Sequence, residues 1–127
     1  MHFLTNALLV GAGGAVGAMT RYCINQLPLK NSWSFPANTL IANIIATFII
    51  GLVVGYSRSH TDLDSRWLLL LQVGFCGGLS TLSSMTLEFY LMRDVGHMLL
   101  AMIYVTGSFA ICLMATWLGL FLTGPSD

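Results

Sequence analysis

The charged residues of this chain are placed so that four long stretches contain none. Residues 1–20, 31–57, 67–87 and 95–126 of the 127 lack arginine, lysine, aspartate and glutamate altogether. A helix needs about 20 residues to cross the hydrocarbon core of a bilayer, so each stretch is long enough to span it once. Charged residues make up only 8% of the chain, whereas soluble domains carry roughly a quarter. The pattern predicts a membrane protein.

Four membrane spans leave only short connectors and no room for a soluble domain. We therefore expect an all-α fold with a single four-helix transmembrane domain over residues 1–127. The approximate spans are residues 3–26, 37–57, 66–92 and 97–122. The first stretch lacks the basic start and the cleavage site of a signal peptide, so we interpret it as a retained helix. An activity of such a chain has to lie within the membrane.

Several function classes are disfavoured by the same composition. The net charge of +0 provides no basic surface for nucleic acid. Cys23, Cys76 and Cys112 lie in apolar segments without paired spacing, which favours neither a disulfide framework nor a zinc site. The histidines fall in a terminus or in connectors, and no combination of nucleophile, base and orienting group is present. We therefore expect no enzyme and no catalytic metal.

The basic residues are shared almost evenly between the two membrane faces. Arg58 and Arg66 fall on the face of the termini and the middle connector, whereas Arg21, Lys30 and Arg93 fall on the other. The excess of positive charge that orients membrane proteins is nearly absent. This balance predicts insertion in both orientations, with two copies assembling antiparallel around a twofold axis in the membrane plane.

Two of the predicted helices carry a polar stripe. Side chains four residues apart lie on one face of a helix, and polar residues recur at this spacing in the second and fourth spans. The stripes are Thr39, Asn43 and Thr47, and Tyr104, Ser108, Cys112 and Thr116. Polar residues within spans commonly mark an ion or substrate pathway. The alternative is that these hydroxyls only bond to their own helix or join neighbouring helices.

The third span is the least helix-like of the four. Gly77 and Gly78 are followed by five hydroxyl residues within residues 80–86, which predicts a break in the helix. Unwound backbone at this depth is tolerated where it is buried in protein or lines a cavity. Freed carbonyls there suit a cation, and the start of a new half-helix suits an anion. Glu88 closes the segment, either ionised in an aqueous vestibule or neutral in a helix contact.

Small residues and one arginine indicate how the helices pack. Gly13 with Gly17, and Gly51 with Gly55, have the spacing of close helix–helix contacts. Arg21 ends the first span. We expect it either to reach the headgroups or to tie the broken third helix to the first.

These features together resemble a known family, the small dual-topology fluoride channels of the Fluc type. The resemblance covers nearly the whole chain. Its residues are Gly14 and Gly17 before Arg21, the segment 39–43, the segment 77–81, Glu88, and Gly107 with Ser108.

The resemblance implies an antiparallel dimer with two narrow pores that export fluoride passively from the cytoplasm across a bacterial plasma membrane. It also implies a structural sodium ion on the twofold axis, held by backbone carbonyls of Gly77 and Ser80. Asn43 would contact fluoride, with a polar track beside it. The implied pathway residues are Asn43, Thr39, Leu82, Met85, Ser83, Ser84, Tyr104, Ser108 and Thr116, and Arg21 and Glu88 are structural.

Two positions depart from the family pattern, which normally has phenylalanine where this chain has Leu82 and Met85. The edge of an aromatic ring is positive and attracts an anion, which neither Leu nor Met reproduces. Three explanations stay open: conduction through hydroxyls and Asn43 alone, a heterodimer whose partner supplies the rings, or deliberate substitution.

Two other classes of function remain as alternatives. One is a small proton-coupled multidrug exporter, which would need an acid in the first helix, and the other is a membrane assembly subunit that transports nothing.

Overall fold

The computed structural model describes residues 2–29 and 35–125, and Lys30 lies outside this part. Four described helices are long and apolar enough to cross a membrane, which confirms the predicted number of spans. They are His2–Asn25, Ala37–Ser59, Ser65–Asp94 and Met98–Thr123. We name the first two α1 and α2. The third span consists of α3, residues 65–79, and α4, Leu82–Asp94, and the last helix, Met98–Thr123, is α5.

The third span breaks, as the sequence predicts, but the break lies beyond the glycines. Gly77 keeps helical dihedral angles, whereas Ser80 (ψ 157°) and Thr81 (φ −152°, ψ 115°) are extended. The hydroxyl residues therefore interrupt the helix, and the glycines have another use. A second irregularity, a π-helical stretch at Leu69–Cys76 within α3, was not predicted. Such wider turns are frequent near functional sites.

The glycines bring α1 and α3 into backbone contact. A Cβ atom on Gly13 would lie 2.9 Å from the backbone nitrogen of Phe75, and one on Gly17 would lie 2.9 Å from that of Leu79. On the other side, a Cβ atom on Gly74 would lie 3.0 Å from the Cα of Gly13. The close packing expected of Gly13 and Gly17 is therefore present, and small residues on both helices make it possible.

Helices α2 and α5 run parallel and pack through the second glycine pair. A Cβ atom on Gly51 would lie 3.0 Å from the Cα of Gly119, and one on Gly55 would lie 3.1 Å from the nitrogen of Gly124. The Thr123 hydroxyl adds a bond of 3.0 Å to the Leu52 carbonyl. This contact holds the two polar stripes side by side, since Thr39 and Tyr104 lie at one end of it and Gly51 and Gly119 further along.

Short connectors are held by side-chain and backbone caps. The Asn38 amide donates to the carbonyls of Asn25 and Leu27, which satisfies the end of α1. Gly96 has a φ of 89° between α4 and α5, a conformation that favours glycine. Large apolar side chains on all helices point outward, as expected for a bundle that faces lipid.

Candidate functional site

A cavity of about 290 Å³ lies where α2 and α5 meet the break of the third span. We call it the central cavity. Its lining residues are Asn43, Thr47, Ser80, Thr81, Leu82, Met85, Ser108, Phe109, Cys112, Leu113 and Thr116. Five of the seven members of the two polar stripes are among them, whereas Thr39 and Tyr104 are not. None of the basic or acidic side chains that the structure describes lines it.

Asn43 holds the broken backbone of the third span. Its Oδ1 accepts a hydrogen bond of 2.8 Å from the backbone N–H of Thr81, and its Nδ2 donates to the Thr81 carbonyl at the longer distance of 3.4 Å. The residue is 8% exposed. One side-chain amide thus replaces the helical hydrogen bond that the Thr81 N–H lacks, and the second N–H hydrogen of Asn43 remains available.

Helix α4 begins at the central cavity. The Thr81 side chain caps it by accepting a 3.2 Å hydrogen bond from the backbone N–H of Ser84. The Thr81 and Ser83 hydroxyls lie 3.3 Å apart and share one hydrogen bond. Ser83 is exposed and does not line the cavity. The N–H groups of the first turn of a helix carry partial positive charge, which favours an anion at this end of the cavity.

Ser108 carries a buried hydroxyl that no other group satisfies. The residue is 3% exposed, and its Oγ has no hydrogen-bond partner within the described part of the chain. Nearby hydroxyls are already engaged: Thr116 donates to the Thr47 carbonyl at 3.0 Å, and Thr47 donates to the Asn43 carbonyl at 2.8 Å. Unsatisfied buried polar groups are rare in native proteins, so Ser108 indicates an absent partner.

A second polar cluster lies one helical turn from the central cavity. The Thr39 hydroxyl donates to Glu88 Oε2 at 2.8 Å, and the Tyr104 hydroxyl donates to Glu88 Oε1 at 3.3 Å. Phe35 packs edge-on against the Tyr104 ring, with 5.4 Å between centroids. The sequence identified all three polar residues, but not that one carboxyl group binds both hydroxyls.

This cluster borders an outer cavity of about 360 Å³. Its lining residues are Asn25, Leu29, Phe35, Pro36, Ala37, Asn38, Thr39, Ser84, Leu87 and Glu88. Seven of the nine predicted pathway residues are divided between the two cavities, and Ser83 and Tyr104 line neither. Asn43, Leu82, Met85, Ser108 and Thr116 line the central one, and Thr39 and Ser84 line the outer one.

Leu82 and Met85 lie in different surroundings. Leu82 is 62% exposed at the open side of the central cavity, whereas Met85 is 4% exposed. Met85 packs in an apolar cluster with Met92, Ala101 and Tyr104. The two positions at which the chain lacks aromatic rings are therefore not equivalent: one faces outward from the single chain and the other is part of its core.

Arg21 ties α1 to the third span. Its Nε donates a 3.1 Å hydrogen bond to the carbonyl of Gly78, directly before the break. The sequence leaves two interpretations of Arg21 open, and in the structure Arg21 joins the first helix to the third span. A positive charge fixed to this carbonyl stabilises the C-terminal end of α3, where carbonyls lack partners.

Thr81 was missed as a site residue, although the sequence contained a signal for it. A threonine three residues before Ser84 at the start of a helix is a common cap. Thr47 and Cys112 were recognised as members of the stripes, and both line the central cavity. The apolar lining residues Phe109 and Leu113 have no sequence signal that separates them from lipid-facing neighbours.

Comparison with known proteins finds one family and several relatives that match most of the chain. Residues 8–120 match the family described as CrcB-like protein, Camphor Resistance (CrcB). A protein of Pyrococcus horikoshii named fluoride-specific ion channel FluC is 38% identical over 117 residues, which cover 91% of this chain and 93% of that protein. The protein of the same name from Chlorobaculum tepidum is 41% identical over 108 residues, covering 84% and 85%. That from Pyrococcus abyssi is 37% identical over 123 residues, covering 96% and 98%.

Proposed function

The chain belongs to the CrcB-like protein family, and we propose that it is a passive, fluoride-selective ion channel of the membrane. The observation that carries the proposal is the central cavity. Within the described part of the chain, the buried Ser108 hydroxyl has no hydrogen-bond partner there and no charged side chain lines the space. Relatives that match over most of their length are named fluoride-specific ion channels.

Neutral hydrogen-bond donors explain how such a cavity can replace the hydration shell of fluoride. The free N–H hydrogen of Asn43, the hydroxyl of Ser108 and the first backbone N–H groups of α4 all lie at the central cavity. Donors of this kind bind a small anion strongly through short contacts. Because no lysine or arginine of residues 2–29 and 35–125 lines the cavity, no fixed positive charge from this part of the chain holds the ion there, and it can leave.

The observed hydrogen bonds reduce the number of predicted track residues that can donate to fluoride. Thr116 and Tyr104 each donate their hydroxyl hydrogen to a protein acceptor, so neither offers a donor to fluoride in this arrangement. Ser108 is the stripe residue with a free hydroxyl. We therefore infer that Asn43 and Ser108 bind the ion, while Thr116 and Thr47 shape the wall.

The working unit we propose is an antiparallel dimer with two pores. The central cavity is open on the side of Leu82, Phe109 and Leu113, which are 62%, 54% and 70% exposed, so a single chain does not enclose an ion there. A second copy would close it. The partner can be an identical chain or a related chain that supplies aromatic rings near Leu82. Crosslinking of the purified protein and mass spectrometry of co-purified subunits distinguish these two cases.

The carbonyls at the break fit the sodium ion that the family resemblance implies. In a continuous helix the Gly77 carbonyl would accept from the N–H of Thr81, but that N–H bonds to Asn43. The Ser80 carbonyl would accept from Ser84, whose N–H bonds to the Thr81 hydroxyl. Both carbonyl oxygens are thus available, and oxygen ligands suit a hard cation. Gly77 also borders open space, which leaves room for a second copy.

Ion efflux from liposomes tests the proposed function. Purified protein is reconstituted with potassium fluoride or potassium chloride inside, and a potassium ionophore balances the charge. We expect fluoride to leave and chloride to be retained, without any proton gradient. Equal efflux of the two ions would contradict the selectivity. Export that needs a proton gradient and favours aromatic cations would identify a multidrug exporter, and no transport at all would leave an assembly subunit.

A further inference from the structure

Among the described residues, Glu88 is a carboxyl group within the third span that has two hydroxyl partners and no cationic one. Thr39 of α2 and Tyr104 of α5 donate to its two oxygens at 2.8 and 3.3 Å. Within residues 2–29 and 35–125, the ion pairs are Arg66 with Asp64 and Arg93 with Asp94, and neither involves Glu88. An ionised carboxylate inside a membrane protein normally has a charged partner or water, so this arrangement calls for an explanation.

The cluster lies between the two cavities. Thr39 precedes Asn43 by one turn of α2, and Tyr104 precedes Ser108 by one turn of α5. Glu88 itself lines the outer cavity, while Asn43 and Ser108 line the central one. An ion that moves along the stripes from one cavity to the other therefore passes directly beside the Glu88 carboxyl group.

The protonation state of this carboxyl group determines which charge and which hydrogen-bond donors lie beside the ion. When Glu88 is ionised, it draws the hydrogens of both hydroxyls toward itself, and its negative charge repels an anion. When Glu88 carries a proton, the charge is gone. The carboxyl group then has its own O–H to donate, and the hydroxyls of Thr39 and Tyr104 are free to rotate their hydrogens toward the ion.

We propose that Glu88 is a proton-controlled positioning residue, which admits fluoride between the two cavities when protonated and excludes it when ionised. The inference deepens the proposed function and rests on it. It assigns a regulatory role to a residue that the sequence suggested only as structural.

Other titratable and charged side chains surround this end of the bundle. Among the described residues, they include Tyr104, His97, Arg93, Asp94 and Arg21, with Tyr22, Cys23 and Tyr90 on the same helices. Arg93 pairs with Asp94 at 3.1 Å, and Arg21 donates to the Gly78 carbonyl. Helix α2 contributes no titratable side chain near Thr39. Asp94 lines a further cavity together with Glu88, so it is the neighbour whose own titration has to be separated from that of Glu88.

The test is the pH dependence of fluoride efflux from liposomes, with protein-free liposomes to subtract the leak of hydrogen fluoride. For the unmodified protein we expect efflux to fall by up to about tenfold for each unit that the pH rises through the titration, the steepness of a single proton-binding group. Glu88→Gln, which keeps the shape without the charge, should conduct at the high level throughout. Asp94→Asn, the matched control, should keep the unmodified profile.

Tyr104→Phe provides a second variant that keeps Glu88. It removes one donor to the carboxylate, so the ionised form is less stable and the efflux profile should move to higher pH. Gel filtration of each variant checks that it folds. A protonated carboxyl band in the infrared spectrum, present in the unmodified protein and lost in Glu88→Gln, reports the proton without any flux.

The outcomes separate the two proposals. Efflux that does not change with pH in the unmodified protein, or a Glu88→Gln profile that still changes with pH, would overturn the role of Glu88 and leave the channel function intact. Absence of fluoride efflux at every pH in both proteins would contradict the channel function itself, and the regulatory role with it.

Discussion

The two halves of the broken third span pack in opposite ways. Helix α3 packs its backbone against α1 through glycines, and its Gly78 carbonyl accepts a hydrogen bond from Arg21. Helix α4 starts with hydroxyl residues, borders both cavities and carries Glu88. Close backbone packing excludes water from the first half, whereas small polar side chains keep space beside the second. The first half packs against α1, and the second borders the cavities that we propose as the pathway.

The largest effect is expected in the first half. Gly17→Ala would place a Cβ atom 2.9 Å from the backbone nitrogen of Leu79, where neither helix can yield without losing the contact. Overpacking of this kind destabilises by about 3 kcal/mol. Gly11→Ala, on the same helix with no atom within 4 Å of its added Cβ, is the matched control. Unfolding in mixed detergent micelles measures both. Equal stability of the two variants would show that the glycine contact is unimportant.

The second-largest effect is expected beside the second half of the third span. Asn43→Asp keeps the acceptor for the Thr81 N–H but replaces the amide donor with a charge of the same sign as the ion. We expect fluoride efflux from liposomes to be abolished while the protein still folds. Thr47→Val removes a lining hydroxyl that bonds to its own helix, and it serves as the control that should retain efflux. Unchanged efflux in Asn43→Asp would refute a role for Asn43 in the pathway.

Ser108 and Thr116 lie on one face of α5, and comparing them separates a hydroxyl that binds the ion from one that stabilises the helix contact. Ser108→Ala removes a hydroxyl without a partner, so we expect efflux to fall by at least about tenfold with stability unchanged, since a bond to a charged ion contributes about 1.5–3 kcal/mol. Thr116→Val breaks its bond to the Thr47 carbonyl and should cost about 1 kcal/mol of stability while efflux persists. The opposite pattern would assign the pathway to Thr116.

The smallest effect is expected for the missing aromatic rings. Met85→Phe should preserve or raise conduction, because a ring edge attracts an anion and the residue borders the central cavity. Met85 also packs with Met92 and Tyr104, so the larger ring has to fit that cluster. Efflux and stability are measured together. A loss of efflux would show that Met85 belongs to a different packing arrangement.

Much of the architecture could be predicted because the membrane imposes it. Uncharged stretches indicated four spans, the spacing of Gly13 and Gly17 indicated a close contact, and the recurring polar residues indicated two stripes. These signals are local: each depends on residues within one helix. The predicted break also follows from local composition, although Ser80 and Thr81 form it and not the glycines.

The features that could not be predicted depend on contacts between helices. Whether Thr116 bonds to its own helix, to α2 or to an ion is decided by the distance to the Thr47 carbonyl, which no pattern in the sequence encodes. The same holds for Glu88, whose two hydroxyl partners come from α2 and α5. The π-helical stretch of α3 likewise has no distinguishing composition.

The central claim is that fluoride occupies the cavity at the break through neutral donors. Fluorine NMR of the protein in lipid bilayers tests this most directly, by transfer of magnetisation from bound fluoride to nearby protein hydrogens. We predict a bound fluoride signal with transfer to the Asn43 side-chain amide and the Ser108 hydroxyl, which is lost in Asn43→Asp. A bound signal that persists in this variant, or one with contacts only outside the central cavity, would contradict the account.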